Sequence, residues 1–169
     1  VVMKTCLNLI VFFFLFTNCA FAYCDFEIIK MQRGVNEFFS QTDVIGDAEN
    51  TPDAPVSFRI PTEEVCKDSN FKMFPVHYTF INKNLHQISF EDRLTTINHL
   101  ENLTYYYGKP NELAEDDGAS GMKFYHWELT FKHVFLLIHF TPDETIQNIE
   151  IVSKKYSTLI DKYNEELEK

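Results

Sequence analysis

The stretch Met122-Lys123-Phe124-Tyr125-His126-Trp127-Glu128-Leu129-Thr130-Phe131-Lys132-His133-Val134-Phe135-Leu136-Leu137-Ile138-His139-Phe140 decides the fold. It holds two runs rich in aromatic and β-branched residues, the composition that suits a pleated, half-buried surface. With Phe131-Lys132 as the turn, Leu129 faces Val134, Trp127 faces Leu136 and Tyr125 faces Ile138. All six are apolar or aromatic and share one face, and a slip by one residue would mix the faces. A third strand, Ile146 to Val152, returns after Thr141-Pro142-Asp143-Glu144, and its Ile149 and Ile151 extend the apolar face. Three antiparallel strands with an apolar side need a covering layer.

Working outward, two helices can supply that layer. The final segment from Lys154 to about Leu167 carries Tyr156, Leu159, Ile160, Tyr163 and Leu167 as a stripe at helical spacing. Before the hairpin, Ser89 and Asp92 resemble a capping box opening a helix with Leu94, Ile97, Leu100 and Leu103 inward. Gly108 and Pro110 stop it. Upstream, Val76 to Ile81 and Leu85 to Phe90 read as a hairpin around Asn82-Lys83-Asn84. A regular ladder there puts Val76, Tyr78, Phe80 and Leu85 on one face, and His77, Thr79, Ile81, His86, Ile88 and Phe90 on the other. Val56 to Ile60 reads as a strand, and Pro61-Thr62 opens one helical turn. The expectation is an α+β two-layer domain: an antiparallel sheet with a ββαβββα core and helices packed mainly on one face. Residues 26 to 40 fit a helix or a strand followed by a short helix. Gln41 to Pro55 and Asn111 to Gly121 read as loops.

The first 22 residues read as a secretory signal peptide. One lysine, Lys4, precedes an apolar run from Leu9 to Phe16, and Ala20-Phe21-Ala22 offers small residues at the cleavage positions. The run is about 8 residues, too short to span a bilayer. Cleavage between Ala22 and Tyr23 leaves one α+β domain, 23 to 169, whose first part, 23 to 55, is a segment and a loop. Two cysteines remain, Cys24 and Cys66. An oxidising compartment favours one bridge between them, tethering that segment. The location expected is periplasmic or extracellular.

Acidic residues outnumber basic ones 25 to 15 in the chain. Such a charge disfavours nucleic acid and anionic membrane surfaces as partners and suits a basic protein. No phosphate-binding glycine loop or nucleophile elbow is present, and Gly118-Ala119-Ser120-Gly121 lacks the last glycine. The acidic residues Glu112, Glu115, Asp116 and Asp117 do not follow calcium-loop spacing. The sequence calls for no cofactor.

Three functional expectations follow. The leading one is a non-enzymatic exported protein that binds another macromolecule, in the manner of an inhibitor or immunity protein of a basic partner. Tyr105, Tyr106 and Tyr107 are its candidate contact residues, because tyrosine is enriched at interfaces. The second is a metal-binding protein or metal-dependent enzyme. In the Phe131-Lys132 register His126 lies opposite Leu137 and diagonal to His139, with Glu150 on the next strand, and two imidazoles and a carboxylate can ligate zinc. The third is a small-molecule carrier with an apolar pocket between sheet and helices. Phe124, Phe135, Leu137 and Val152 fall on the outer sheet face, where residues 23 to 60 are expected to cover them, the alternative being a partner-binding patch. Surface positions are expected for His77, His86 and His99. Asn102-Leu103-Thr104 is a glycosylation sequon.

Overall fold

The structure is a computed structural model, and it describes residues 23–67, 74–93, 97–115 and 121–168. The expected signal peptide with Ala22, and Leu94, Asp116, Asp117 and Gly118 to Ser120, lie outside them. The element order is β1 Tyr23–Cys24, α1 Val35–Gln41, β2 Val56–Ile60, α2 Thr62–Val65, β3 Cys66–Lys67, β4 Val76–Ile81 and β5 Asn84–Asp92. Then come α3 His99–Tyr107, β6 Glu112–Glu115, β7 Met122–Glu128, β8 Lys132–Phe140, β9 Thr145–Ser153 and α4 Tyr156–Leu167. Seven strands form one antiparallel sheet in the order β2-β4-β5-β9-β8-β7-β6, and β1 pairs separately with β3. The expected α+β fold is present.

The core lies on one face of the sheet. Val76, Tyr78, Phe80, Ile88, Phe90, Trp127, Val134, Leu136, Ile149 and Ile151 are buried there. α1 brings Phe38 against Phe58, Tyr78 and Phe80. The turn segment before it brings Phe26 against Phe90. α3 adds the buried Leu103. Residues 26 to 41 thus cover this inner face, not the outer face that the sequence assigns to them. The N-terminal segment resolves as a two-residue strand, turns and a short helix.

Cys24 and Cys66 stand directly opposite in the β1–β3 pair and are bridged. Both sulfur-bearing residues are buried, and Asn102 Nδ2 donates to the Cys24 carbonyl at 3.3 Å. The bridge closes a span of 42 residues in sequence. The chain-entropy model values that closure at roughly 4 kcal/mol. The sequon asparagine is therefore a buried structural donor.

The β4–β5 hairpin differs from the regular ladder. Asn82 and Lys83 both take left-handed backbone angles, φ 50° and 60°, the pair that matches the right-handed twist of a two-residue hairpin turn. The turn sets Phe80 opposite Leu85, but Thr79 pairs with Gln87 and Tyr78 with Ile88. His86 is the extra residue of a β-bulge. The bulge returns Ile88 and Phe90 to the core face, where a regular ladder would have turned them out.

The strand also runs further than expected. Ser89 pairs with His77 and Glu150, and Asp92 pairs with Gln147, so neither caps a helix. The helix starts later, at His99. Its cap is Asn98, whose side chain accepts from the Glu101 amide at 3.1 Å. It ends as expected: Gly108 donates to the Thr104 carbonyl at 2.9 Å with φ 79°. Residues 112 to 115 form the edge strand β6 rather than a loop.

Candidate functional site

The two most informative histidines are placed by a loop length. The β7–β8 hairpin turns through Leu129–Lys132, with the Leu129 amide donating to the Lys132 carbonyl at 2.9 Å. Trp127 therefore pairs with Val134 and Tyr125 with Leu136, two residues offset from the two-residue-turn register. An even offset keeps every side chain on its face but changes its neighbours. His126 now lies opposite Phe135 and diagonal to His133, while His139 lies opposite Met122 at the far end of β7. Glu150 lies opposite Phe135 on β9. The expected His126, His139 and Glu150 set is not assembled, and among the described residues no group of three His, Cys, Asp or Glu side chains could hold a metal ion.

A ring ladder stands in its place on the outer face. Phe124 stacks on Phe135 at 5.7 Å between centroids, and His126 stacks on Phe135 at 4.8 Å. His126 Nε2 and His133 Nδ1 are 2.9 Å apart. One of these nitrogens carries the proton and the other accepts it. Burial, then the neighbouring His126 and Lys154, lower the basicity of His133, with Glu128 opposing. Glu128 pairs directly across from His133 and binds Lys154 Nζ at 2.7 Å. That hydrogen bond and the Lys154 charge hold its carboxyl below the usual range. On the neighbouring strands, Gln87 donates to Glu150 and accepts from Tyr156 at 2.7 Å, which ties the start of α4 to this face. Phe124, Phe135, Leu137 and Val152 remain half-buried.

The three tyrosines separate. Tyr105 is 80% exposed. Tyr106 is half-buried, its ring edge-on to Tyr105 at 5.6 Å. Tyr107 points inward: its hydroxyl donates to Glu27, and Lys132 sits 4.9 Å above its ring. Glu27 is only 6% exposed and also binds Lys132. Burial and the Glu27 carboxylate raise the Tyr107 hydroxyl well above its ordinary pKa. This group lines a cleft of about 230 Å³ beside Cys24 and Leu103.

A third surface was not singled out in the sequence. In the 42–55 loop Ile45 is fully exposed. The loop around it is held by its own side chains. Thr42 Oγ1 donates to the Phe38 carbonyl at 2.9 Å, Asp47 Oδ1 accepts from the Glu49 amide at 2.9 Å, and Thr51 Oγ1 donates to the Asp47 carbonyl at 2.9 Å. Lys83 reaches the Glu49 carbonyl at 3.0 Å. Gly46 lies so close to Phe39 that a Cβ there would fall 2.2 Å from the ring. Residues 37 to 64 carry seven acidic side chains against one arginine, Arg59. Glu64 feels this: burial, then Asp43, raise its carboxyl pKa. An acidic loop is read as solvated by default, so only the exposure of Ile45 distinguishes this one, and that is a tertiary fact.

His86 and His99 also depart from expectation. His86 is buried with Nδ1 2.7 Å from Ser153 Oγ, because the bulge turns it inward. His99 is buried between the Phe26 and Phe90 rings and paired to Asp92. No helix among the described residues is long and apolar enough to cross a membrane. No protein-family description, curated protein or solved structure matches the chain significantly.

Proposed function

We propose that this chain is an exported, non-enzymatic protein that binds a basic macromolecular partner, and that the 42–55 loop presents the contact. The observation that supports this most is Ile45. A fully exposed isoleucine on a loop held by Thr42, Asp47 and Thr51 is a pre-ordered apolar knob. Pre-ordering reduces the entropy lost on binding. Its setting is acidic, which steers a cationic partner and rejects anionic ones. The buried Cys24–Cys66 bridge supports an oxidising location, and the reading of residues 1 to 22 supplies the route there. Tyr105, exposed on α3, supplies a second contact residue.

The test uses a photoreactive side chain at position 45, with position 167 as control. Proteins exported from the same cells are presented at low salt. The expected result is cross-linking of one basic protein from position 45 alone, lost on raising the salt and weakened by Ile45→Asp. Cross-links that are equal at both positions, or that persist unchanged in high salt, remove this reading.

A further inference from the structure

We propose that His126 Nε2 and His133 Nδ1 form a two-imidazole chelate for a divalent transition-metal ion of the tetragonal class, Cu(II) or Ni(II). The site is on the outer sheet face and does not rest on the partner-binding reading. The two nitrogens are 2.9 Å apart on the half-exposed side of β7 and β8. Imidazole nitrogens bind such ions at about 2.0–2.1 Å. Two such bonds across this gap subtend about 90°, the cis angle of a square-planar or tetragonal ion. A tetrahedral zinc site would need the nitrogens spread to roughly 3.3 Å.

The rings need little ordering to serve. His126 is stacked on Phe135, which is stacked on Phe124, and both histidines stand on paired strands. In the hydrogen bond the two nitrogens face each other, so each ring turns by about 45° to aim its lone pair at a common point. The proton now shared between them moves to the far nitrogen of its own ring, so both facing nitrogens become ligands and no proton is lost from the neutral pair. Imidazole ligands of either tautomer are suited to copper and nickel. Glu128 lies on the same face, directly across from His133, and supplies a carboxylate counter-charge, at present held by Lys154.

The test is titration of the purified protein with a Cu(II) salt in a buffer that does not coordinate the ion. Trp127 is the only tryptophan and adjoins His126, so its emission reports binding. One equivalent should quench it saturably, and electron paramagnetic resonance should show two nitrogen ligands. His126→Gln and His133→Gln should each weaken binding by at least the roughly 10- to 100-fold seen when a supporting partner of a metal ligand is lost. His139→Gln should bind as the unaltered protein does. Unchanged Trp127 emission without metal checks that each variant is folded. Absence of saturable quenching, binding that survives His133→Gln, or binding lost with His139→Gln overturns the proposal.

Discussion

His99 Nε2 lies 2.8 Å from Asp92 Oδ2, and neither side chain is more than 1% exposed. The pair joins the end of β5 to the first turn of α3 across the undescribed residues 94 to 96. Phe26 and Phe90 enclose the imidazole, so the hydrogen bond is made away from water. Removing one partner leaves a buried polar group behind, which costs more than removing both. Asp92→Leu should destabilise the protein by about 3 kcal/mol. Adding His99→Leu should cost less than the sum of the two single changes. Urea unfolding of the four proteins measures this, and strict additivity would show the pair is not coupled.

Reducing the bridge should matter to the whole fold. Cys24→Ser or Cys66→Ser is expected to lower stability by about 2–4 kcal/mol. The bond anchors residues that supply Phe26, Glu27 and Phe38 to the core and cleft. Thermal melts with and without reductant check it. Identical melts would mean the segment is held by packing alone.

His86 gives the protein a pH dependence of defined sign. Burial first, then the Lys155 charge, depress its pKa below the ordinary 6.5. The neutral form is therefore preferred in the folded state. Its contribution is present above the unfolded pKa and is lost as pH falls through 6.5 toward the lower folded value. His77 is shifted the same way by burial and then Arg59. Unfolding free energy should fall between about pH 7 and 5, and His86→Gln should flatten part of that slope. Parallel curves for the two proteins would remove His86 as the cause.

Gly121→Ala should destabilise by about 1 kcal/mol or more. Gly121 has φ 64°, and an added Cβ would meet the Phe140 carbonyl oxygen at 2.9 Å. That contact sits where Gly121 accepts the Phe140 amide at 2.8 Å, at the open end of the β7–β8 pair. Chemical denaturation measures the loss, and an unchanged midpoint would mean the backbone relaxes freely there.

The alternation of Tyr125, Trp127, Val134, Leu136, Ile149 and Ile151 was enough to assign the faces of the C-terminal strands. Face assignment survives a two-residue error, and neighbour assignment does not. Leu129 and Lys132 read equally well as strand ends or loop residues, so the hairpin loop length, and with it the partner of His126, was not legible. The bulge at His86 has no local signature, because a regular ladder through Asn82-Lys83 looks as sound in sequence. Ser89 and Asn98 both precede an acidic residue three positions on, so the capping pattern alone does not say which of them opens the helix. The burial of Asp92 and His99 depends on two elements meeting, which periodicity within either cannot reveal. Gly108, the Cys24–Cys66 bridge and the strand at 56–60 were local or pairwise constraints, and these were readable.

The spare residue in β5 makes one position in an otherwise unforgiving strand tolerant of shortening. Deleting His86 or Gln87 would leave a plain two-residue alternation, with Leu85, Ile88 and Phe90 still inward. The same deletion between Ile88 and Asp92 would invert whatever follows it and carry Asp92 away from His99. Natural length variants of this chain should therefore be sought beside the Asn82-Lys83 turn, and not three residues further along.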